Sequence, residues 1–440
     1  MQEENLSRQE VQAKYLIGRY TDQHGRRTIE TAPNPMEGDT IRWPVEFMYA
    51  RDHILVREDY LERARALVDE VADGPREGSD RDVRPVGRPV VLGLYALTLP
   101  PKVQVTQALQ AIQGGGRSWR SGTWFEGLGE GAAGPDHLVS IAPTAGTCPA
   151  KEPEAVPPDS VLDPAPTLDT AAGRGVRIVV VDTGVDPAAV AAHPWLTRVT
   201  GTPDPAVGPG PANPRRPLAS YAGHGTFIAG IIRTVAPRAE VHVRADFQIG
   251  GSIFESDLIK ALEDVLANDN PDIISMSAGV WDNVAGGPVG FQVFYEQRLR
   301  HHKGVVLVTA AGNDSSRQPF WPAASPWTVS VGALRPDWRQ RAKFSNFGAW
   351  VDVYAPGEDL VNAFPVGHYV YTEPDPPAQE ATFTGLAKWS GTSFSAPMVA
   401  GMIAARMSRT GENGVTAAAA LLKIAQTQAR LGTGAVLLPS

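Results

Sequence analysis

The sequence predicts an α/β protein with two unequal parts, a small α+β domain over residues 1–143 and a larger domain with a parallel sheet over residues 166–440. The length is one reason, because 440 residues correspond to two or three domains of ordinary size. The pattern is another, because apolar strand-like runs and helical segments alternate regularly only after about residue 166. Prolines are dense over residues 144–165 and indicate an extended linker between the two parts.

Composition and charge exclude several classes of protein. The 48 acidic residues outnumber the 40 basic ones, and the net charge of −8 argues against general nucleic-acid binding. Cys148 is the single cysteine, so it forms no internal disulfide or multi-cysteine zinc site, and we interpret it as buried or incidental. No apolar run is long enough for a membrane span, and the N-terminus lacks the apolar region of a signal peptide. We therefore expect a cytoplasmic location and leave export by a non-standard route open.

The N-terminal domain is predicted to mix strands and helices. Over residues 58–71, apolar side chains such as Leu61, Ala64 and Leu67 follow the stripe of an amphipathic helix. A hairpin is predicted over residues 14–32, because two strand-like segments flank a polar turn at residues 22–25. The other predicted elements are strands over 46–57, 89–99 and 137–142 and a second helix over 103–112.

The C-terminal domain is predicted from four apolar runs separated by helical segments such as 255–267. The runs lie at residues 176–181, 240–245, 272–276 and 305–310. Strands that are apolar on both faces indicate a parallel sheet covered by helices. Because ligands bind at the carboxyl ends of the strands in such sheets, the polar residues that follow each run are the candidates for chemistry.

Four polar residues beside glycines occupy such positions. Asp182 and Asn313 each follow a predicted strand, and His224 and Ser393 each stand at the start of an apolar helical segment. Each alone has an ordinary explanation as a cap, a turn residue or an exposed side chain. Together, in the order Asp, His, Asn, Ser, they are better explained by one active site.

The residue types suit nucleophilic catalysis. A serine hydroxyl is a weak nucleophile and needs an adjacent base, and histidine serves because its pKa lies near neutrality. A buried carboxylate fixes the imidazole tautomer and stabilises the imidazolium. A side-chain amide can stabilise the oxyanion of a tetrahedral intermediate, and a helix start adds backbone N–H groups and a positive dipole end.

Four segments carry these residues: VVVDTGVD (179–186), GHGTFIAG (223–230), AAGN (310–313) and SGTSFSAPMVAG (390–401). They match four motif blocks of the subtilisin family of serine proteases, and the chain resembles that family over about residues 166–410. The resemblance implies a three-layer subtilisin-like fold around a central parallel sheet. The roles it implies are Asp182 as orienting carboxylate, His224 as general base and acid, Ser393 as nucleophile and Asn313 as oxyanion-hole donor.

The same resemblance implies two substrate-binding segments. Ser277, Ala278 and Gly279 would line the primary specificity pocket. Ile249, Gly250 and Gly251 would pair with an extended substrate as a β-strand, although a simple turn is the other interpretation of that segment.

Residues 1–143 resemble, more weakly, the inhibitory propeptide of this family, a ferredoxin-like α+β domain whose last strand leads into a tail in the cleft. The segment PDHLVSIAP (135–143) stands where that strand is expected. The domain is larger than usual, and the hairpin predicted at 14–32 is an addition. The resemblance implies that the N-terminal domain is an intramolecular inhibitor, with residues 140–160 crossing the active site as a candidate for self-cleavage.

Two departures from the family pattern stand out. The longer calcium-binding loop that often follows the histidine helix is missing, because Thr234 and Val235 lead straight into Ala236-Pro237. We therefore predict no metal site and no cofactor, while calcium ligands scattered elsewhere would escape recognition in a sequence. The segment after Asn313 is short, so Phe320 and Trp321 either narrow the specificity pocket or serve as core aromatics.

Three other functions were weighed. Asp182-Thr183-Gly184 also matches the aspartic-protease signature, but that chemistry needs a second carboxylate and no second such motif exists. The glycine-rich motifs of nucleotide-binding domains are absent. A proteolytically silent scaffold held by its N-terminal domain is the remaining alternative. The sequence thus predicts a serine endopeptidase made as a zymogen, which processes proteins or peptides inside the cell and has no nucleic-acid or membrane partner.

Overall fold

The computed structural model describes residues 8–24, 28–37, 40–42, 44–71, 86–117, 124–141, 151–207, 217–371 and 379–439. Cys148 and the first part of the predicted linker lie outside these residues, as do positions 25–27 of the predicted hairpin.

The described chain contains nine α-helices and twenty strands. The helices are α1 (Arg8–His24), α2 (Leu61–Val71), α3 (Val105–Gly114), α4 (Pro187–Ala192), α5 (His224–Val235), α6 (Glu255–Asp264), α7 (Val289–Gln297), α8 (Thr392–Thr410) and α9 (Gly414–Thr427). The strands are β1 (Ile29–Pro33), β2 (Val45–Arg57), β3 (Val86–Val91), β4 (Leu94–Thr98), β5 (Gly116–Arg117), β6 (Trp124–Phe125), β7 (Ala133–Ser140), β8 (Glu154–Ala155), β9 (Arg177–Asp182), β10 (Val199–Gly201), β11 (Glu240–Ala245), β12 (Ser252–Phe254), β13 (Ile273–Met276), β14 (Val280–Trp281), β15 (Val306–Ala310), β16 (Phe320–Trp321), β17 (Val329–Leu334), β18 (Val353–Pro356), β19 (Leu360–Val370) and β20 (Glu380–Trp389).

The C-terminal domain is a three-layer α/β fold, as the sequence predicts. Its parallel sheet has the strand order β10-β11-β9-β13-β15-β17-β18. Alternate residues of β9 belong to different apolar cores: Ile178 and Val180 join the core that contains α5 and α8, whereas Val179 and Val181 join the core that contains α6 and α7. Because successive side chains of a strand point to opposite faces, the central strands are buried by helices on both sides.

The N-terminal domain has the predicted ferredoxin-like topology. In chain order it runs β2-α2-β3-β4-α3-β7, and the sheet order is β7-β2-β4-β3 with antiparallel neighbours. Its core forms where α2 and α3 cover one face of the sheet, with Ile54 and Val56 of β2 packed among Val68 and Ile112 of the two helices.

The predicted hairpin over residues 14–32 is wrong. Residues 8–24 form the helix α1, and β1 follows it and pairs antiparallel with β2. Ala13, Leu16 and Tyr20 are spaced by three and four residues, so they lie on one face of the helix, and all three are buried. This face packs against a cluster that includes Met48 and Leu138, and burial of this stripe favours a helix over a strand.

The described part of the predicted linker is bound to the C-terminal domain. The short strand β8 pairs with β20 and extends the β19–β20 hairpin. The Lys151 ammonium contacts Asp359, and the indole N–H of Trp389 donates to the Lys151 carbonyl. Residues 151–155 are therefore an added edge of that hairpin.

The two domains share a β-sheet. Strand β7 pairs antiparallel with β12 of the C-terminal domain, so that Val139 lies opposite Ile253. Beside this pairing, the Asp136 carboxylate accepts hydrogen bonds from the Ser256 backbone N–H at 2.9 Å and from the Ser256 hydroxyl at 2.6 Å. The N-terminal domain thus caps the first turn of α6 with a negative charge, which the helix dipole favours.

A second buried contact joins the domains next to this cap. His137 Nδ1 lies 2.8 Å from Glu255 Oε2, and both side chains are fully buried. Glu255 Oε1 accepts the backbone N–H of Gly290 at 2.6 Å, near the start of α7. Burial alone would lower the pKa of His137, but Glu255, Asp282 and Asp136 outweigh it and raise that pKa. Burial also raises the pKa of Glu255, although its contact with His137 opposes that shift.

His53 of β2 extends this group of charges toward the surface. Its Nε2 lies 2.7 Å from Asp136 Oδ2, and its Nδ1 lies 2.8 Å from Asp52 Oδ1. Burial disfavours the imidazolium, but these two carboxylates outweigh burial and raise the pKa of His53 to about 9. His53 is therefore protonated at neutral pH in the folded chain.

We predict that His53 makes the stability of the chain depend on pH. Its pKa is about 6.5 when unfolded and about 9 when folded, so its contribution is complete below pH 6.5 and is lost as the pH rises through 9. His53→Gln should therefore lower the free energy of unfolding by about 1–3 kcal/mol at pH 6 and by much less above pH 9. Urea unfolding of the full chain at the two pH values measures this.

The matched control is His302→Gln, because His302 is exposed. His302→Gln should leave the difference in the free energy of unfolding between the two pH values the same as in the unmodified chain. Equal losses at both pH values in His53→Gln would contradict a charged His53.

Candidate active site

Three of the predicted site residues come from neighbouring strands of the parallel sheet. Asp182 ends β9, Ser277 follows β13, and Asn313 stands three residues after β15. Strand β13 pairs with both β9 and β15 in parallel register, so the three carboxyl ends meet at one edge of the sheet. His224 and Ser393 reach the same edge as the first and second residues of α5 and α8.

Asp182 and His224 form a buried pair. His224 Nδ1 lies 2.7 Å from Asp182 Oδ1, which also accepts the backbone N–H of Thr183 at 2.8 Å. Because the carboxylate oxygen accepts, the proton belongs on Nδ1 and the lone pair of the neutral ring lies on Nε2. Nε2 is buried and has no hydrogen-bond partner among the described residues. It is therefore in the state that a general base needs.

A close backbone approach makes this pair feasible. A side chain on Gly225, the second residue of α5, would place its Cβ 2.2 Å from the Gly184 carbonyl oxygen. Only glycine lets the helix start come this near to the loop after β9.

Ser393, in the first turn of α8, is brought toward His224 by the packing of α8 against α5. The ring of its neighbour Phe394 lies 5.5 Å from the His224 ring, centroid to centroid. The Ser277 hydroxyl donates to the Ser393 carbonyl at 3.0 Å. That carbonyl has no helical donor, because the residue four positions later is Pro397, which lacks an N–H. The proline thus lets β13 hold the start of α8 in place.

The amide of Asn313 is oriented by Thr392. Its Oδ1 accepts the Thr392 backbone N–H at 2.9 Å and the Thr392 hydroxyl at 3.0 Å. Because a backbone N–H can only donate, the oxygen is fixed on that side and Nδ2 on the other. Nδ2 is buried without a hydrogen-bond partner in the described part of the chain. A donor held in this way is suited to a developing oxyanion.

The cleft beside these residues holds the end of β7. The Ser140 N–H donates to the Gly279 carbonyl at 3.2 Å, and the Gly279 N–H donates back to the Ser140 carbonyl at 3.1 Å. On its other side, the Ile141 N–H donates to the Gly251 carbonyl at 2.8 Å. The N-terminal domain therefore inserts a strand between the two segments for which the sequence predicts substrate contacts.

The predicted pairing segment over residues 249–251 is shifted in the structure. Ile249 and Gly250 form a turn closed by the Ser252 N–H on the Ile249 carbonyl, and the paired residues are Gly251 and β12. A side chain on Gly250 would meet the ring of Tyr15 at 2.7 Å, so α1 covers this turn. The turn, with φ near +57° at Gly250, takes positions 249 and 250 out of the strand that pairs with β7. Their contact with a substrate stays a prediction.

Two supporting residues, Asp204 and Thr392, have no clear signal in the sequence. The buried Asp204 carboxylate accepts the Gly223 N–H at 2.8 Å and the Thr183 hydroxyl at 3.2 Å, so it ties the loop of Asp182 to the helix of His224. Burial raises the pKa of Asp204 to about 6. No motif marks Asp204. Thr392 lies inside the segment SGTS, but its role as the partner of Asn313 depends on three-dimensional proximity.

Helix α5 ends at Val235, and β11 begins at Glu240, so a short connection joins them. Within the described ranges, no group of three or more His, Cys, Asp or Glu side chains could hold a metal ion. Within the same ranges, no helix is long and apolar enough to cross a membrane.

Comparison with known proteins gives curated relatives over part of the chain. It is 30% identical over 222 residues to a thermophilic serine proteinase of Bacillus sp. (strain AK1), covering 48% of each protein. It is 32% identical over 204 residues to the subtilisin-like protease 2 of Trichophyton verrucosum, covering 45% of this chain and 44% of that protein. The matched regions thus span about half the length of these relatives.

A solved structure and a family model also match. The crystal structure of a cold adapted subtilisin-like serine proteinase aligns with 61% of this chain and 90% of its own, at 24% identity and a TM-score of 0.45. The model of the subtilase family (peptidase S8) matches residues 173–435, which is more than half of the chain and contains all five residues at the sheet edge. The chain belongs to the subtilase family.

Proposed function

We propose that the chain is a serine endopeptidase that cleaves peptide bonds through Ser393, His224 and Asp182. The observation that carries this proposal is the buried 2.7 Å contact between Asp182 and His224 Nδ1, which leaves Nε2 as the basic nitrogen beside the start of α8. Family membership and similarity to serine proteinases support the same activity.

The proposed reaction follows from these positions. His224 Nε2 accepts the proton of the Ser393 hydroxyl as its oxygen attacks the substrate carbonyl carbon. Asn313 Nδ2 donates to the resulting oxyanion, and the Ser393 backbone N–H, at the start of a helix, can donate as well. Collapse breaks the C–N bond, and His224 returns the proton to the leaving amine. Water, deprotonated by His224, then releases the acyl group and restores the serine.

We further propose that the N-terminal domain inhibits this site within the same chain. Support comes from the strand at 138–141, which occupies the cleft through backbone hydrogen bonds to Gly279 and Gly251. The side chains of Asp182, His224 and Ser393 are fully buried in this arrangement. A substrate would have to displace the strand before it could pair with the same backbone groups. Synthesis as a zymogen, a processing role and a cytoplasmic location remain predictions.

The first test compares the intact mass and N-terminal sequence of the purified wild type and Ser393→Ala. Self-cleavage should remove the N-terminal domain from the wild type only, because the alanine variant has no nucleophile. A fluorophosphonate, which reacts with activated serines, should label the wild type and leave Ser393→Ala unlabelled. If the wild type is neither cut nor labelled, even after release of the N-terminal domain by mild denaturant, the chain is a silent scaffold.

The second test removes single groups from the machinery. Asn313→Ala should lower kcat about 100- to 1000-fold with little change in KM, because the lost hydrogen bond forms only in the transition state. Asp182→Asn should lower kcat by about 10,000-fold, because it favours the wrong imidazole tautomer. The control is Gln426→Ala at an exposed amide, which should change neither constant. An unchanged kcat in Asn313→Ala would remove this amide from the mechanism.

A further inference from the structure

The ring of Phe320 lies between two backbone segments of the active site. A Cβ built on Gly279 would stand 2.5 Å from Phe320 Cε1 and 2.6 Å from Cζ, so the ring is packed on that glycine. A Cβ on Gly312 would stand 3.1 Å from Cδ1 of the same ring. Phe320 is 2% exposed, and its ring also contacts Trp281 at 5.2 Å between centroids. The ring therefore fills the base of the gap between residues 277–279 and residues 311–313.

The register of the cleft strand shows which substrate residue meets this gap. Ser140 pairs reciprocally with Gly279, so in an antiparallel ladder the residue two positions further along a bound chain lies opposite Ser277. Ser277 contacts the Ser393 carbonyl, which puts that residue at the nucleophile. Its carbonyl oxygen must also reach Asn313. Its side chain consequently enters the gap that Phe320 fills.

We propose that Phe320 is the specificity-determining residue of the cleft and restricts the residue on the amino side of the cut bond to glycine, alanine or serine. The inference rests on the proposed endopeptidase function and adds the substrate class. An aromatic or long side chain would have to displace the Phe320 ring from its contacts with Gly279 and Trp281. Atoms in a close-packed interior yield little, so such substrates bind poorly in the transition state.

The cleft strand also indicates what the neighbouring substrate positions accept. Val139 and Ile141 are 0% and 1% exposed and belong to the apolar core beneath α6 and α7, which also contains Phe291. Val139 lies three positions, and Ile141 one position, before the residue at the nucleophile. Alternate residues of a strand share a face, so both side chains fill apolar pockets. The expected substrate therefore has four consecutive residues before the cut bond: an aliphatic residue, any residue, a second aliphatic residue and a small residue.

The two neighbours of this pocket have other roles. The Trp321 indole N–H donates to the Asp282 carbonyl at 3.2 Å, and its ring packs on Gly287, so Trp321 serves as a core aromatic. Asp314 follows Asn313, and its carboxylate oxygens are buried. Burial raises the pKa of Asp314 to about 7. If this carboxylate, rather than Phe320, determines specificity, the experiment described next will show a preference for a basic residue before the cut bond.

The experiment measures hydrolysis of four peptides by protein that is expressed as the full-length chain. All share the sequence Val-Ser-Ile before the variable residue, which is Ala, Gly, Phe or Lys, followed by a fluorogenic amide. Wild type and Phe320→Ala are compared, and Phe294→Ala serves as the control because Phe294 is equally buried but belongs to α7. Each is also assayed with Val139→Asp, where a buried carboxylate should expel the cleft strand. Fluorophosphonate labelling counts the active molecules in every sample.

Wild type should prefer Ala over Phe and Lys by about tenfold or more in kcat/KM. Phe320→Ala should raise the Phe-to-Ala ratio by about 10- to 200-fold, whereas Phe294→Ala should leave it unchanged. Because the ratio does not depend on the fraction of folded protein, a destabilised variant still gives an answer, and Phe320→Leu provides a milder substitution.

Two results would overturn the role of Phe320 and leave the endopeptidase function intact. One is a labelled wild type that cleaves after Phe or Lys as fast as after Ala. The other is a Phe-to-Ala ratio of kcat/KM that Phe320→Ala does not change. If no variant is labelled by the fluorophosphonate or cleaves any peptide, the proposed endopeptidase function is wrong, and this inference is wrong with it.

Discussion

The contact between the N-terminal domain and the cleft of the C-terminal domain depends on one interaction, the insertion of the end of β7 between β12 and Gly279. Backbone hydrogen bonds on both sides of Ser140 and Ile141 join the N-terminal sheet to the cleft. Such bonds are indifferent to side-chain identity, so the same donors and acceptors can bind a substrate strand. The Asp136 cap on α6 and the buried His137–Glu255 pair hold neighbouring residues of this strand in the same register. Under the proposed function, the N-terminal domain and a substrate would compete for this one set of backbone groups.

The chemistry of the site depends on the sheet beneath it. Three neighbouring parallel strands bring Asp182, Ser277 and Asn313 to one edge, and two helices begin at that edge with His224 and Thr392. The orienting contacts are small and local: Thr392 fixes the amide of Asn313, and the missing N–H of Pro397 frees a carbonyl for Ser277. Polar groups held in this way before substrate arrives need no reorganisation during the reaction, which is the main source of electrostatic catalysis.

Much of this could be predicted from the sequence, because the apolar runs of the parallel strands and the residues just after them are both local signals. Strand β11 begins and ends where the sequence predicts, and His224 stands at a helix start as expected. The hairpin at 14–32 failed because Gly18 and the polar residues after Tyr20 are typical of both a strand–turn unit and an exposed helix. Only the partner surface around Met48 decides for the helix. The orientation of Phe320 could not be predicted from the sequence either. Whether Phe320 narrows the specificity pocket or packs in the core depends on which side of a short strand faces the cleft.

Whether β7 occupies the cleft is measured most directly by amide hydrogen exchange, followed by mass spectrometry, on full-length Ser393→Ala. If β7 occupies the substrate position, the amides of Ser140, Ile141 and Gly279 are protected together. In the same background, Val139→Asp should make all three exchange quickly while β13 and β15 stay protected. Rapid exchange at Ser140 and Ile141 in a chain whose central sheet is protected would show that the strand does not occupy the cleft, and would contradict the account.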